Sequence, residues 1–209
     1  MTTARPRWGV YLLIFAYGLI LKLLPYLFMQ FPEVTRRWGI VIDPQLKTYP
    51  WNFSPLLAFG LFSAATLPRK SLGVFAPLLV YLLSDLGIWA ITGKLEWAFY
   101  PAQIPVYATV ALCAMVGWWL RKRPSWTGIA GCSLLSAVLF FTLTNFACWV
   151  GNPLYPQNLS GLSECYSSAL WHFRNSLVST LMYSGLLFSP LGVRSRVTAS
   201  DTAAATVKA

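Results

Sequence analysis

Runs of apolar residues long enough to cross a bilayer recur along this chain, and little else can accommodate them. The first is "WGVYLLIFAYGLILKLLPYLFM", Trp8–Met29. A span through about 30 Å of hydrocarbon takes about 20 mostly apolar residues. On that measure further helices are expected at Ser71–Thr92, Pro101–Leu120, Thr127–Val150 and Ala169–Pro190. Ser54–Leu67 is shorter and could be a re-entrant segment by length alone. Composition agrees: 56% of the 209 residues are hydrophobic and 11% are charged, where a soluble domain carries about 25% charged residues. The N-terminus begins like a signal peptide, but its apolar region is too long and no small-residue cleavage site follows, so it reads as an anchored first helix.

The charges decide how many crossings to expect. With six, one side receives Arg5, Arg7, Arg69, Lys70, Arg121, Lys122, Arg123, Arg194, Arg196 and Lys208 against the single acid Asp201. The other receives Arg36, Arg37, Lys47, Lys94 and Arg174 against Glu33, Asp43, Glu96 and Glu164. Lys and Arg collect in cytoplasmic loops. If Ser54–Leu67 did not cross, the later basic turns would fall on both sides. The expectation is therefore an all-α integral membrane protein, a compact six-helix bundle with both termini cytoplasmic. Residues 1–7 form the cytoplasmic N-terminus, 8–190 the membrane domain and 191–209 a disordered cytoplasmic tail. The net charge of +10 is then a topology signal rather than a nucleic-acid footprint, and no nucleic-acid partner is expected.

Two charges fall inside expected spans. Lys22 and Asp85 each cost about 2.5–3.5 kcal/mol at a helix centre on insertion scales. Both lie fourteen residues past the cytoplasmic start of their helices, or about 21 Å up at 1.5 Å per residue. Equal depth permits an ion pair or a shared polar cavity. The alternative is that Lys22 snorkels to the headgroups while Asp85 bonds a neighbouring helix. Gly60 and Ala64 stand at small-xxx-small spacing, which suits close helix packing or a partner face.

The inner turns are tight, whereas the outer connections are long and aromatic. Such loops are where sites are built. "TNFACWVGNPLYPQN" carries Asn145, Trp149 and Tyr155, and "YPWNFSP" adds Trp51, Asn52 and Ser54. "ECYSSALWHFRN" holds Tyr166, Arg174 and the only histidine, His172. Aromatic walls with a few amides and hydroxyls make a small-molecule site. The expected substrate contacts are Asn52, Asp85, Asn145, Trp149, Tyr155, Tyr166, His172 and Arg174. If "ECYSSALWHFRN" is one straight helix, Glu164, Ser168 and His172 form a polar stripe. Cys165 and His172 then stand about 10.5 Å apart along the axis. That is too far to hold one metal, whose bonds are about 2–2.3 Å. The same stretch could instead only anchor the bundle at the headgroups.

Cys113 and Cys132 lie in apolar runs as core residues, and the four cysteines form no CxxC pair. No P-loop, GxGxxG, HExxH or GxSxG motif occurs, so no nucleotide or hydrolase chemistry is written locally. No metal or cofactor is expected, and no catalytic residue. Two rivals stay open: a membrane enzyme acting on a lipid or cofactor, with Asp85, Glu164 or His172 as acid or base, and a structural scaffold.

"PWNFSPLLAFGLFSAA", "PLLVYLLSDLGIW", "FFTLTNFACWV" and "LYPQNLSGLSECYSSALWHFRNSL" together resemble an uncharacterised family of bacterial transporter-like proteins, over about Trp51–Phe188. That family is in turn similar to the substrate-binding S components of energy-coupling-factor vitamin transporters, including a solitary cobalamin-binding member. The resemblance implies a six-helix inner-membrane protein that takes up a small nutrient or vitamin-like molecule from the outer side. It also implies a borrowed ATP-driven coupling module, in keeping with the absent P-loop. The cobalamin-binding member uses a cysteine on cobalt; no cysteine here aligns with it, although Cys148 and Cys165 fall on the corresponding side.

Overall fold

The computed structural model describes residues 5–30, 37, 50–122 and 124–194. Helices make up most of it. They are α1 (Trp8–Gln30), α2 (Leu56–Thr66), α3 (Lys70–Thr92), the single turn α4 (Leu95–Ala98), α5 (Gln103–Val116), α6 (Trp126–Trp149), α7 (Leu159–Ser168) and α8 (Leu170–Leu187). A 3₁₀ turn, Gly117–Arg121, extends α5. Two two-residue strands, β1 (Arg5–Pro6) and β2 (Val193–Arg194), pair antiparallel. Among the described residues, four stretches are long and apolar enough to cross a membrane: Trp8–Gln30, Lys70–Thr92, Leu95–Arg121 and Trp126–Trp149.

The distribution of polarity is the reverse of a water-soluble fold. Leu12, Leu13, Phe75, Trp119, Val178 and Met182 are exposed, while Ser63, Ser84, Ser133, Ser136, Ser179 and Thr180 are buried. In lipid no hydrophobic force gathers apolar side chains inward, so small and hydroxylic residues take the helix contacts. Some of the buried hydroxyls bond within their own helix: Ser84 Oγ donates to the Val80 carbonyl at 2.6 Å and Thr180 Oγ1 to the Ser176 carbonyl at 2.6 Å; others bridge helices, as Ser136 Oγ does in donating to the Cys113 carbonyl at 3.2 Å. Helix α8 carries this pattern furthest, burying Asn175, Ser176, Ser179 and Thr180 and exposing Val178, Leu181 and Leu186. The fold therefore belongs in a membrane.

All eleven residues of α2 are buried. At about 1.5 Å per residue it is only about 16 Å long, and it forms the axis around which α3, α5, α6 and α8 pack. Two glycines permit that approach. A Cβ at Gly73 would lie 2.4 Å from Ala64 Cα, and one at Gly117 would lie 2.3 Å from the Leu61 carbonyl oxygen. Gly60 faces Ala114 and Pro77. The small residues of α2 thus serve internal packing and leave no partner face.

One end of the bundle is defined by contacts between remote segments. Arg7 N donates to the Gly192 carbonyl at 2.8 Å, beside the β1–β2 pair. Arg121 donates from Nη1 to the carbonyls of Ala64 and Leu67 at 2.7 and 2.9 Å, and from Nη2 to Pro68 O at 3.1 Å. Arg5, Arg7, Arg69, Lys70, Arg121 and Arg194 therefore gather at that end. Val193 and Arg194, past the expected start of the tail at residue 191, pair with Pro6 and Arg5. The disorder expected of residues 195–209 lies outside the described residues, as do Glu33, Arg36, Asp43, Lys47 and Arg123 of the charge pattern.

The stretch "ECYSSALWHFRN" is two helices. Asn158 caps α7, its Oδ1 accepting from Gly161 N at 3.0 Å. Helix α7 ends at Ser168, and α8 begins beyond a turn at Ala169. The turn falls between Ser168 and His172, which still line one cavity, whereas Glu164 does not.

Candidate functional site

At the end away from Arg121, the start of α2 meets the halves of α1, α3 and α6 that lie furthest from that arginine. Lys22 of α1 and Asp85 of α3 face each other there, Nζ to Oδ1 at 3.5 Å. Equal depth along two helices from the same end has brought them together. The carboxylate is held more firmly by α5. Tyr107 OH donates to Oδ2 at 2.7 Å and Gln103 Nε2 at 2.9 Å. Gln103 and Tyr107 are i, i+4 on α5 and so share a face. The Lys22 ammonium sits 3.7 Å from the centre of the Tyr81 ring, a cation–π contact that partly replaces lost hydration. Asp85 is only 5% exposed at its side chain and Lys22 23%.

This pair lies in the wall of a cavity of about 580 Å³ with Tyr26, Trp51, Trp97, Tyr100 and Glu96. A second cavity of about 420 Å³ is lined by Tyr155, Cys165, Ser168, His172 and Phe173. Asn52, Phe140, Thr144, Asn145 and Cys148 line both, so the two chambers adjoin along one face of α6. Phe140, Thr144 and Cys148 follow at i, i+4, i+8, with Phe141 and Asn145 beside them, which is one stripe of a helix. Both volumes lie in the range of ligand pockets, about 300–1,000 Å³.

Asn52 joins the chambers in an uncommon conformation. Its φ is +64°, a left-handed geometry that asparagine tolerates better than most side chains. The surrounding hydrogen bonds impose it: Asn175 Nδ2 donates to the Trp51 carbonyl at 3.1 Å and Ser179 Oγ to the Asn52 carbonyl at 3.4 Å. Helix α8 thus holds the turn that places Asn52 and starts α2.

A family model described as "Family of unknown function (DUF6580)" matches residues 2–200. The chain belongs to that family. No curated protein matches it, and no solved structure does.

In this DUF6580 chain, five of the eight expected contacts line the chambers: Asn52 and Asn145 both of them, Asp85 the first, and Tyr155 and His172 the second. The other three face elsewhere. Trp149 Nε1 donates to the Pro156 carbonyl at 3.0 Å and its ring packs on Phe146. Tyr166 OH donates to the Thr142 carbonyl at 2.6 Å, which ties α7 to α6. Arg174 lies over the exposed Trp171 ring at 3.8 Å. Sequence reasoning missed Gln103, Tyr107, Thr144 and Asn175. The i, i+4 pairing of Gln103 with Tyr107 was a usable signal; the bond from Asn175 to Trp51, 124 residues away, had none. Among the described residues no group of three or more His, Cys, Asp or Glu is placed to hold a metal ion. His172 and Asp85 line different chambers, whose walls combine aromatic rings with a few polar groups.

Proposed function

We propose that this protein is a substrate-binding membrane protein that takes a small nutrient or vitamin-like molecule from the outer side of a bacterial inner membrane, in the manner of an S component. The observation that carries the reading is the pair of adjoining chambers with an ion pair in one wall and amides at the shared face. Orientation follows from charge. The basic ends gathered around Arg121 and the β1–β2 pair belong in the cytoplasm by the positive-inside rule, with six segments crossing and both termini inside. The chambers then face out. With no P-loop in the sequence, an ATP-driven coupling module is the partner that would supply energy.

The orientation has its own test. With Cys148 replaced by serine (Cys148→Ser), a cysteine introduced at position 70 (Lys70→Cys) in intact cells is expected to stay unlabelled by a membrane-impermeant maleimide. Labelling from outside would overturn the six-span arrangement.

Native mass spectrometry of the purified protein is expected to show a retained small molecule. Binding of that molecule should weaken about five- to 150-fold in Asn145→Ala and in His172→Ala, because an unpaired buried polar group costs about 1–3 kcal/mol. Trp149→Ala, which faces away, should change affinity by less than about twofold, since the ring touches no chamber and only indirect effects remain. Unchanged affinity in both chamber variants, with each protein folded, would leave the chambers as packing voids.

A further inference from the structure

The four cysteines divide into two kinds. Cys113 and Cys132 are buried between α5 and α6, where each sulfur faces a carbonyl of the other helix: Cys113 Sγ donates to Ser136 O at 3.3 Å and Cys132 Sγ to Val116 O at 3.9 Å. They are sealed from reagents. Cys148 and Cys165 instead line the same cavity. Cys148 is exposed and Cys165 is buried, 3% exposed. Cys165 Sγ donates to the Asn145 carbonyl at 3.6 Å, one helical turn from Cys148 on α6, whose sulfur accepts from Asn152 Nδ2 at 3.8 Å. All four are free.

We propose that Cys148 and Cys165 are a redox-active dithiol at the boundary of the two chambers, which a small-molecule disulfide oxidises to an intramolecular bond that fastens α7 to α6. Only the source of that oxidant, the outer compartment, rests on the orientation proposed above. The exposed Cys148 is the entry point. Its thiolate attacks one sulfur of the disulfide, giving a mixed disulfide on Cys148 and releasing one thiol. The Cys165 thiolate then attacks the Cys148 sulfur, forming the Cys148–Cys165 bond and expelling the second thiol. In total two protein thiols and one disulfide become one protein disulfide and two small thiols. Thiolate, not thiol, is the attacking form. Burial pushes the Cys165 thiol up, with Cys148 close by adding to it, which disfavours Cys165 as the first attacker and leaves that step to the exposed Cys148.

The bond would act on the site in two ways. It removes the donor that Cys165 offers to Asn145 O, and it draws in Cys148, which lines both chambers. The passage between them narrows, and α7, tied to α6 until then by Tyr166 and packing, becomes covalently held.

The experiment uses the purified full chain in detergent with oxidised glutathione as the probe. Wild type is expected to lose two of its four thiols, counted after denaturation, recoverable by reduction, and to yield one linked peptide pair containing Cys148 and Cys165. Cys165→Ser should stop at a glutathione adduct on Cys148. Cys148→Ser should keep its remaining thiols. Amide exchange across residues 159–168 should slow about tenfold or more on oxidation of wild type, as local opening is suppressed, and should not change in the double serine variant. A stable glutathione adduct on wild-type Cys148, a disulfide between two chains, no reaction, or unchanged exchange would each overturn the proposal. Thiol counts and exchange are read without any substrate, so this can fail while the binding reading stands, and the reverse.

Discussion

Asp85→Ala should destabilise the protein by about 3–5 kcal/mol, measured as the shift in reversible unfolding in mixed detergent micelles. The substitution leaves the Lys22 ammonium in a wall of aromatic rings without its counter-ion, and breaking one side of a buried pair carries costs of that size. It also strips Tyr107 OH and Gln103 Nε2 of the acceptor they share at 2.7 and 2.9 Å. Lys22→Met is expected to cost less, about 1–3 kcal/mol, because Asp85 keeps two short hydrogen bonds where the contact to Lys22 is 3.5 Å. The order of the two variants is the informative part. If Lys22→Met proved the more damaging, the ammonium rather than the α5 face would be the main support of the carboxylate. Pairing Asp85→Leu with Lys22→Met should recover stability relative to Asp85→Ala, since removing both charges removes the uncompensated one.

That pair also marks what sequence could and could not convey. Apolar runs and the depth of two charges were legible because hydrocarbon imposes one demand on every residue in it. A span must be long enough, and a charge must find a partner. The helix ends moved by only a few residues: Ser54–Leu67 became Leu56–Thr66, and Thr127–Val150 became Trp126–Trp149. Direction around each helix was less legible. Asn145 and Cys148 share a stripe, whereas Trp149 stands about 100° further round and turns to Pro156. The bend at Ala169 carries neither glycine nor proline, so no local residue announces it. It is enforced by tertiary contacts, with Cys165 and Tyr166 bonding to α6 on one side and Asn175 and Ser179 to the Trp51–Asn52 turn on the other. The roles of Tyr166 and Asn175 are therefore those of supports, visible only once the helices are placed.

Arg121→Ala is expected to cost about 2–4 kcal/mol in the same unfolding measurement. Helix α2 ends inside the bundle, and the last carbonyls of any helix lack partners from its own backbone. Here one guanidinium supplies donors to Ala64, Leu67 and Pro68. Hydrogen bonds with a charged partner contribute about 1.5–3 kcal/mol each, and the losses overlap because one side chain makes all three. The positive charge also lies at the C-terminal end of the α2 dipole, the favourable end for a cation. Arg121→Lys should recover about half of the loss at most, since an ammonium on a flexible stem cannot reproduce the planar fork that spans three oxygens. Amide exchange at residues 56–66 should accelerate in Arg121→Ala while exchange in α7, which does not touch α2's basic end, stays near wild type. Equal acceleration in both helices would mean that the arginine supports the bundle as a whole and not the end of its central helix.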